Sequence, residues 1–205
     1  MARSRLLKYN LGLSLFFLVA FYFPTIAQLK ADFEADTIEF CPPYAVNFKD
    51  KSTGGRITSR VWSFGQGGTS NANNPFPSAT YSSSGSFTVS LTVIDGTSSS
   101  TVTKNAYIKA YGFPRANFNT TQSKIGCAPL TINLNDNTTI GSAPIATYNW
   151  NFGNGTRSNT QNATVVYSLP GKYTVSLSVT DTNGCNGSEQ KVAYIEAVLN
   201  VQFLK

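Results

Sequence analysis

The chain has 205 residues, contains no histidine, and has a charged fraction of only 13%. Without histidine it lacks the commonest general base near neutral pH, the Ser-His and Cys-His nucleophile pairs and the most frequent zinc ligand. The formal net charge is +6, but the lysines and arginines are scattered rather than clustered. We therefore expect neither an autonomous enzyme nor a nucleic-acid-binding protein, and we assign no catalytic residue.

The N-terminal segment, residues 1–27, is predicted to be a signal peptide. Three basic residues precede an apolar run from residue 11 to residue 23, and Ala27 is a small residue suited to cleavage. The run is shorter than the ~20 residues of a comfortable membrane span, although an uncleaved signal anchor remains the alternative. We expect a secreted or cell-surface protein that meets the membrane only through this segment, during export.

The remainder of the chain repeats itself with an offset of 85 to 88 residues, which is the signature of tandem modules. Each copy opens with a short stretch around Phe33 or Phe118 and continues with a Cys-x-Pro segment that begins at Cys41 or Cys127. The next predicted strand has apolar residues at alternate positions. These are Tyr44, Val46 and Phe48 in the first copy and Leu130, Ile132 and Leu134 in the second.

A Trp-x-Phe-Gly-x-Gly segment follows in both copies, at residues 62–67 and 150–155. Because alternate residues of a strand face the same side of a sheet, each Trp shares a face with the Phe two residues later. We predict that these side chains fill the space between two sheets, and the alternative is a surface Trp that stacks on a ligand. The predicted core residues are Trp62, Phe64, Trp150 and Phe152.

The long strands predicted at residues 87–93 and 173–179 alternate apolar and hydroxyl side chains, which is typical of a half-buried strand. Turns at Asp95-Gly96 and Asn183-Gly184 separate them from a last strand in each copy. Each copy thus has six or seven short strands and no helical period. The pattern predicts an all-β chain of two tandem antiparallel β-sandwiches of the immunoglobulin-like kind.

The Trp-x-Phe-Gly-x-Gly segment, followed by Tyr-x-x-x-Gly and the alternating strand, resembles the polycystic kidney disease (PKD) domain in both copies. The resemblance implies an Ig-like fold used as a spacer or binding module in surface proteins such as adhesins, or beside the catalytic domains of secreted enzymes. We expect PKD-like domains at residues 28–111 and 116–197. Phe203 stands 85 residues after Phe118, so residues 198–205 are either a tail or the start of a truncated third repeat.

The chain departs from the resemblance in the loop where some PKD domains bind calcium. The two usual aspartates are Ser63 and Gln66 in the first copy, and Asn151 and Asn154 in the second. Calcium prefers carboxylate oxygens, so we expect no metal site and no cofactor, with calcium the cation to test. The recurring aspartates at positions 50, 95, 136 and 181 are predicted to cap turns through their side chains.

Three cysteines in an exported chain allow one disulfide and leave one thiol. Cys127 precedes the second strand of its copy and Cys185 follows the long alternating strand, so we predict a Cys127–Cys185 bridge. Cys41 then is a free thiol, with pairing between chains as the alternative. Ser99 aligns with Cys185, and Ser99→Cys is expected to form a second bridge with Cys41.

The function expected from the resemblance is a non-catalytic spacer or an interaction module for an extracellular protein or carbohydrate. The alternative is an accessory region of a secreted enzyme that degrades polysaccharide or protein and whose catalytic domain is absent from this chain. Phe76, Tyr111 and Phe113 are candidate exposed aromatics. We expect such residues to cover a loop or the seam between the modules rather than to contact a ligand.

Overall fold

A computed structural model describes residues 28–65, 69–70 and 73–199. The predicted signal peptide (1–27) and residues 200–205 of the predicted C-terminal segment (198–205) lie outside the described residues. Every regular element in the described ranges is a β-strand, apart from isolated turns. No helix that would be long and apolar enough to cross a membrane occurs there.

The described residues of the first copy form eight strands in two sheets. One sheet has the strand order β1-β3-β6 and the other β2-β8-β7-β4-β5. The strands are β1 (Phe33–Ala35), β2 (Glu39–Phe40), β3 (Tyr44–Asp50), β4 (Ser59–Ser63), β5 (Thr69–Ser70), β6 (Ser78–Tyr81), β7 (Gly85–Ile94) and β8 (Ser99–Ala110).

The second copy repeats this arrangement strand for strand, with the orders β14-β11-β9 and β10-β16-β15-β12-β13. Its strands are β9 (Phe118–Asn119), β10 (Ile125–Cys127), β11 (Leu130–Asp136), β12 (Ile145–Asn151), β13 (Arg157–Ser158), β14 (Ala163–Tyr167), β15 (Gly171–Asp181) and β16 (Asn186–Val198). The prediction of tandem β-sandwiches is confirmed. Each copy adds one parallel pair at a sheet edge, β2 with β8 and β10 with β16.

A separate hydrophobic core fills each sandwich, and the four aromatic residues predicted for it are all there. Trp62 and Trp150 are fully buried, and Phe64 and Phe152 are only 2% exposed. The long strand of each copy contributes every second side chain, as its alternation predicted. Each fully buried aliphatic or aromatic side chain contributes about 1.5–3 kcal/mol of hydrophobic stabilisation before conformational entropy is counted.

In each copy a lysine of the last strand contacts the first residue of the opening strand, a feature that the sequence pattern did not reveal. Lys104 donates to the carbonyl of Phe33 and lies 4.4 Å from the centroid of its ring. Lys191 donates to the carbonyl of Phe118 and lies 4.6 Å from that ring. Two residues after each lysine stands an alanine with φ of 48°, where the long strands shift register.

The predicted Cys127–Cys185 bridge is wrong, and so is the prediction that Cys41 is free. Cys41 and Cys185 form the disulfide, with Cα atoms 5.6 Å apart, and Cys127 is an exposed free thiol. Cys127 pairs with Val198 at the end of β16, whereas Cys185 immediately precedes its start. A strand of 13 residues spans about 40 Å, so the two sulfurs lie at opposite ends of the second copy.

The same geometry overturns the expected Ser99→Cys bridge. Ser99 begins β8, while Cys41 follows the residue that pairs with Ala110 at the other end of that strand. A 12-residue strand separates them by about 36 Å. Hereafter the tail of a copy is the end at which its last strand finishes, at Ala110 or Val198, and the head is the opposite end.

Candidate functional site

The indole rings of the repeated segment are structural anchors rather than ligand platforms. Trp62 donates from Nε1 to the carbonyl of Asn74 at 3.1 Å, and Trp150 donates to the carbonyl of Thr160 at 2.9 Å. Both rings are fully buried. A ligand cannot stack on either ring, so the surface-Trp alternative is wrong for both copies.

The loop that follows Trp150 uses its two amides to hold its own backbone. Asn151 Oδ1 accepts from the Gly153 amide at 3.1 Å, and Asn154 Oδ1 accepts from the Thr156 amide at 3.0 Å. In the first copy residues 66–68 lie outside the described residues. Across the part of the chain that is described, no group of three or more His, Cys, Asp or Glu side chains is arranged to hold a metal ion.

The four recurring aspartates cap turns, as predicted. Asp50 and Asp136 each accept from the amide two residues later, at 2.8 and 3.0 Å. Asp95 Oδ1 accepts from the amides of Thr97 and Ser98. The hydrogen bond from the Ser98 amide, and then that from Thr97, lower the pKa of Asp95. Asp181 Oδ1 accepts from the Asn183 and Cys185 amides, so its carboxylate positions the cysteine that forms the disulfide.

Asp50 also forms the shortest and most buried ion pair among the described residues of the first copy. Arg60 Nε donates to Asp50 Oδ2 at 2.6 Å, and the side chains are only 18% and 5% exposed. Burial alone would raise the pKa of Asp50, but hydrogen bonds from Ser52 and from Arg60 outweigh it and hold the pKa below its usual value. In the second copy the residue at the place of Arg60 is Tyr148, which lies near Asp136.

The two copies contact each other at a seam, which is formed by one end of each sandwich and the linker. The tail of the first copy contributes Cys41 and the linker that begins at Tyr111, and the head of the second contributes Cys185 and the loop at Ser142. The Gly112 amide donates to Ser142 Oγ at 2.6 Å, and the Ser142 amide donates to the Gly112 carbonyl at 3.1 Å. A covalent bond and a reciprocal pair of hydrogen bonds therefore join the two copies.

Two glycines of the second copy let the linker lie directly against its head. A Cβ atom on Gly141 would stand 2.1 Å from the Gly112 carbonyl oxygen, and one on Gly187 would stand 2.2 Å from the Pro114 carbonyl oxygen. Both distances are far inside van der Waals contact, and the obstructing atoms are backbone. Only glycine fits at these two positions while the linker keeps its path.

The three candidate aromatics have different surroundings. Tyr111 lies in the seam, where its hydroxyl donates to Glu39 Oε2 at 2.6 Å, and this hydrogen bond raises its pKa. Phe113 is 44% exposed and its backbone passes beside Gly141. Phe76 is 64% exposed and borders a shallow groove with Phe48 and Lys49. The expectation that such residues cover a loop or the seam holds for Tyr111, which lies in the seam, whereas the Phe76 side chain is largely exposed.

The outer face of the second copy's larger sheet carries a polar groove of about 350 Å³. Amide, hydroxyl and charged side chains line it, and no aromatic ring does. Among its lining residues are Asn149, Asn151, Arg157, Glu189 and Gln190. These groups can exchange hydrogen bonds with a hydroxyl-rich ligand, but they include no nucleophile paired with a base.

Comparison with known proteins identifies both copies. Sequence profiles described as PKD domain match residues 35–108 and residues 114–196. Collagenase ColA of Bacillus cereus is 44% identical over 55 residues, which are 27% of this chain and 6% of that protein. Collagenase ColA of Clostridium perfringens is 43% identical over 53 residues, 25% of this chain and 5% of that protein. The chain thus spans only a small part of the length of these curated relatives.

Among solved structures, the PKD1 domain of Vibrio anguillarum Epp is 27% identical, with a TM-score of 0.38. The match covers 43% of this chain and 99% of that domain. The two profile matches together span most of the chain, and they coincide with the two sandwiches described above. The chain therefore belongs to the PKD domain family, of which it carries two tandem copies.

Proposed function

We propose that this protein is an exported, non-catalytic spacer whose two PKD modules are locked into one stiff unit. The observation that carries the proposal is the seam, where the Cys41–Cys185 disulfide joins the tail of one module to the head of the next. A disulfide of this kind persists in oxidising compartments outside the cytoplasm. It supports the secreted or cell-surface localisation expected from the N-terminal segment.

The physical argument is that the seam removes freedoms that a plain linker would keep. Modules joined by a short linker ordinarily move relative to one another unless their interface is extensive. Here the Cys41–Cys185 disulfide and the linker cross the seam next to each other, and the Gly112–Ser142 hydrogen bonds hold the linker against the second copy. Together these attachments restrict twisting and bending at the seam more than the linker alone would, which is the property that a spacer needs.

Small-angle X-ray scattering of the purified chain tests this proposal. We expect the native protein to fit one extended arrangement, and the Cys185→Ser variant to show a broader distribution of distances. Cys127→Ser is the matched control, because it removes a cysteine that forms no bond within the chain. A native chain whose scattering requires a broad distribution of distances would show that the seam is not stiff and would refute the spacer role.

A second candidate is an accessory region of a secreted degradative enzyme. The observation that favours it is the identity of 44% and 43% with short segments of two proteins named as collagenases. In that role the polar groove on the second module is the candidate ligand surface. Co-sedimentation of the native chain with insoluble collagen, chitin or cellulose tests it, and binding to any of them would favour this role over a plain spacer.

A further inference from the structure

Cys127 occupies in the second module the place that Cys41 occupies in the first. Cys41 follows Phe40, which pairs in parallel with Ala110 at the end of β8. Cys127 itself pairs in parallel with Val198 at the end of β16. Both sulfur atoms therefore belong to the tail of their module, on the edge strand next to its last strand.

The two cysteines differ in what they meet. Cys41 is bonded to Cys185 at the head of the following module, whereas Cys127 is exposed and carries a free thiol. The repeat thus supplies its own comparison, in which the same residue of the same strand already forms a bond in one copy. The partner in that copy is a cysteine on the head of a neighbouring PKD module.

The bonding pattern has a direction. The tail of one module supplies one cysteine and the head of the next module supplies the other. At the head of the first module the residue that occupies the place of Cys185 is Ser98, whose amide donates to Asp95 Oδ1 as that of Cys185 donates to Asp181. Ser98 is exposed, and a serine cannot form such a bond. The second module retains the cysteine of the tail, and this asymmetry leaves one half of a link available.

The tail of the second module also exposes large apolar side chains. Three large apolar side chains stand there, namely Ile125, Leu169 and Leu199, which are 58%, 71% and 69% exposed. Ile125 is on the same strand as Cys127 and Leu199 follows its partner, while Leu169 lies two residues before Gly171, which pairs with Ala197 on the other side of β16. Clustered exposed apolar residues are typical of an interaction surface.

We infer that Cys127 is the attachment site for a further module of this family, docked by its head and carrying a cysteine at the position of Cys185. The inference rests on the proposed spacer role and extends it, because the rod then lengthens by the same link that joins its first two modules. The occupant is defined by the seam already described, which shows what covers the tail of a PKD module in this chain.

The bond requires an oxidant, and a small-molecule disulfide such as oxidised glutathione supplies it. The thiolate of Cys127 attacks one sulfur of oxidised glutathione, and one reduced glutathione leaves with the electron pair and takes up a proton. The incoming cysteine then attacks the mixed disulfide at the Cys127 sulfur. A second reduced glutathione leaves, so that two protein thiols and one oxidised glutathione yield one protein disulfide and two reduced glutathiones.

A chain extended by one module tests the inference. A copy of residues 112–199 is placed after Leu199, which raises the number of cysteines from three to five. After refolding with reduced and oxidised glutathione we expect one free thiol, that of the added copy of Cys127. Peptide mapping should show Cys127 joined to the added copy of Cys185. Three free thiols in an extended chain whose added module is folded, as judged by its circular dichroism and protease resistance, would overturn the inference.

The matched control is Cys127→Ser in the same extended chain, for which we expect two free thiols and no new cross-linked peptide. A measurement on the native chain does not depend on the added module. Because Cys127 is an exposed free thiol, iodoacetamide should alkylate it in the folded native chain, without denaturant, at a rate similar to that in the urea-denatured chain. Failure to label it would overturn the inference.

The test also separates the spacer role from the attachment site. If native chains form dimers at twice the monomer mass, with a disulfide between the Cys127 residues of two chains, the partner is a second chain of this protein and the inference is overturned. A scattering curve that shows a flexible seam would refute the spacer role, whereas the thiol count in the extended chain would still report on Cys127.

Discussion

At the scale of single residues, the recurring aspartates and one lysine in each module hold the backbone. Asp50 caps a turn and pairs with Arg60, and the recurring aspartates were predicted to cap turns because they recur near a strand end or before a turn in both copies. The lysines over Phe33 and Phe118 were not predicted. A lysine in an alternating strand is ordinarily solvated, whereas in both modules this lysine stands at a register shift and its ammonium lies over the ring.

The Asp50–Arg60 pair gives the first module a dependence on acid. The pKa of Asp50 is lowered in the folded state, so its contribution is fully present above the unfolded value of about 3.9 and is lost as the pH falls through the folded pKa. We expect Asp50→Asn to lower the free energy of unfolding by about 2 kcal/mol at pH 7. That difference should shrink below about pH 4.

Urea denaturation at pH 7 and at pH 3, monitored by the fluorescence of Trp62, measures this effect. Asp136→Asn is the matched control in the second module, where the neighbouring residue is the uncharged Tyr148. We expect a smaller loss there because hydrogen bonds between charged partners are the stronger ones. A loss at Asp50 that is the same at pH 7 and pH 3 would contradict the assignment.

Lys191 provides a second residue-scale prediction. Lys191→Met keeps the apolar stem over Phe118 but removes both the hydrogen bond to its carbonyl and the cation–π contact. We expect the second module to lose about 1–2 kcal/mol of stability. The control is Lys172→Met on the same sheet, whose lysine is 65% exposed and pairs with Glu196 at 3.7 Å. Exposed pairs contribute about 0–1 kcal/mol, so equal losses for the two variants would count against a special role for Lys191.

At the scale of elements, the sandwich was predictable from local alternation within the strands, whereas the disulfide depends on the length of the last strand and was not predictable. Alternation of apolar and hydroxyl residues sets which face of β15 is buried, and this is a local property of the sequence. The pairing of cysteines depends instead on which ends of the strands meet. β16 runs the full length of its module, so Cys127 and Cys185 are separated within one copy, and the end that meets Cys185 belongs to the other copy.

The glycines of the seam give an element-scale prediction. Gly141→Ala places a methyl group 2.1 Å from the Gly112 carbonyl oxygen, so the linker must move away from the head of the second module. We expect slower and incomplete formation of the Cys41–Cys185 bond during refolding, measured as free thiols against time. Gly171→Ala is the control, since its Cβ meets only the Tyr173 side chain at 3.5 Å. Equal rates for both variants would show that the linker path is not needed for pairing.

At the scale of the whole molecule, the seam couples two modules that otherwise have separate cores. Each core contains one tryptophan, so unfolding of each module has its own fluorescent reporter. With one module folded, the disulfide and the linker close a loop of roughly 70 residues in the other, and the chain-entropy model assigns such a loop up to about 4 kcal/mol. The bond therefore stabilises both modules, including the one in which a given cysteine does not reside.

This coupling predicts that a substitution in the first module weakens the second. Cys41→Ser in a Trp62→Phe background leaves every residue of the second module unchanged, and only Trp150 then reports. We expect its urea midpoint to shift by an amount equivalent to about 2–4 kcal/mol, less than the full entropic value because unfolded chains keep residual structure. Cys127→Ser should shift the same midpoint by less than about 0.5 kcal/mol, since an exposed free thiol contributes little. If Cys41→Ser leaves the Trp150 transition in place, the two modules are independent and the seam is a tether without thermodynamic coupling.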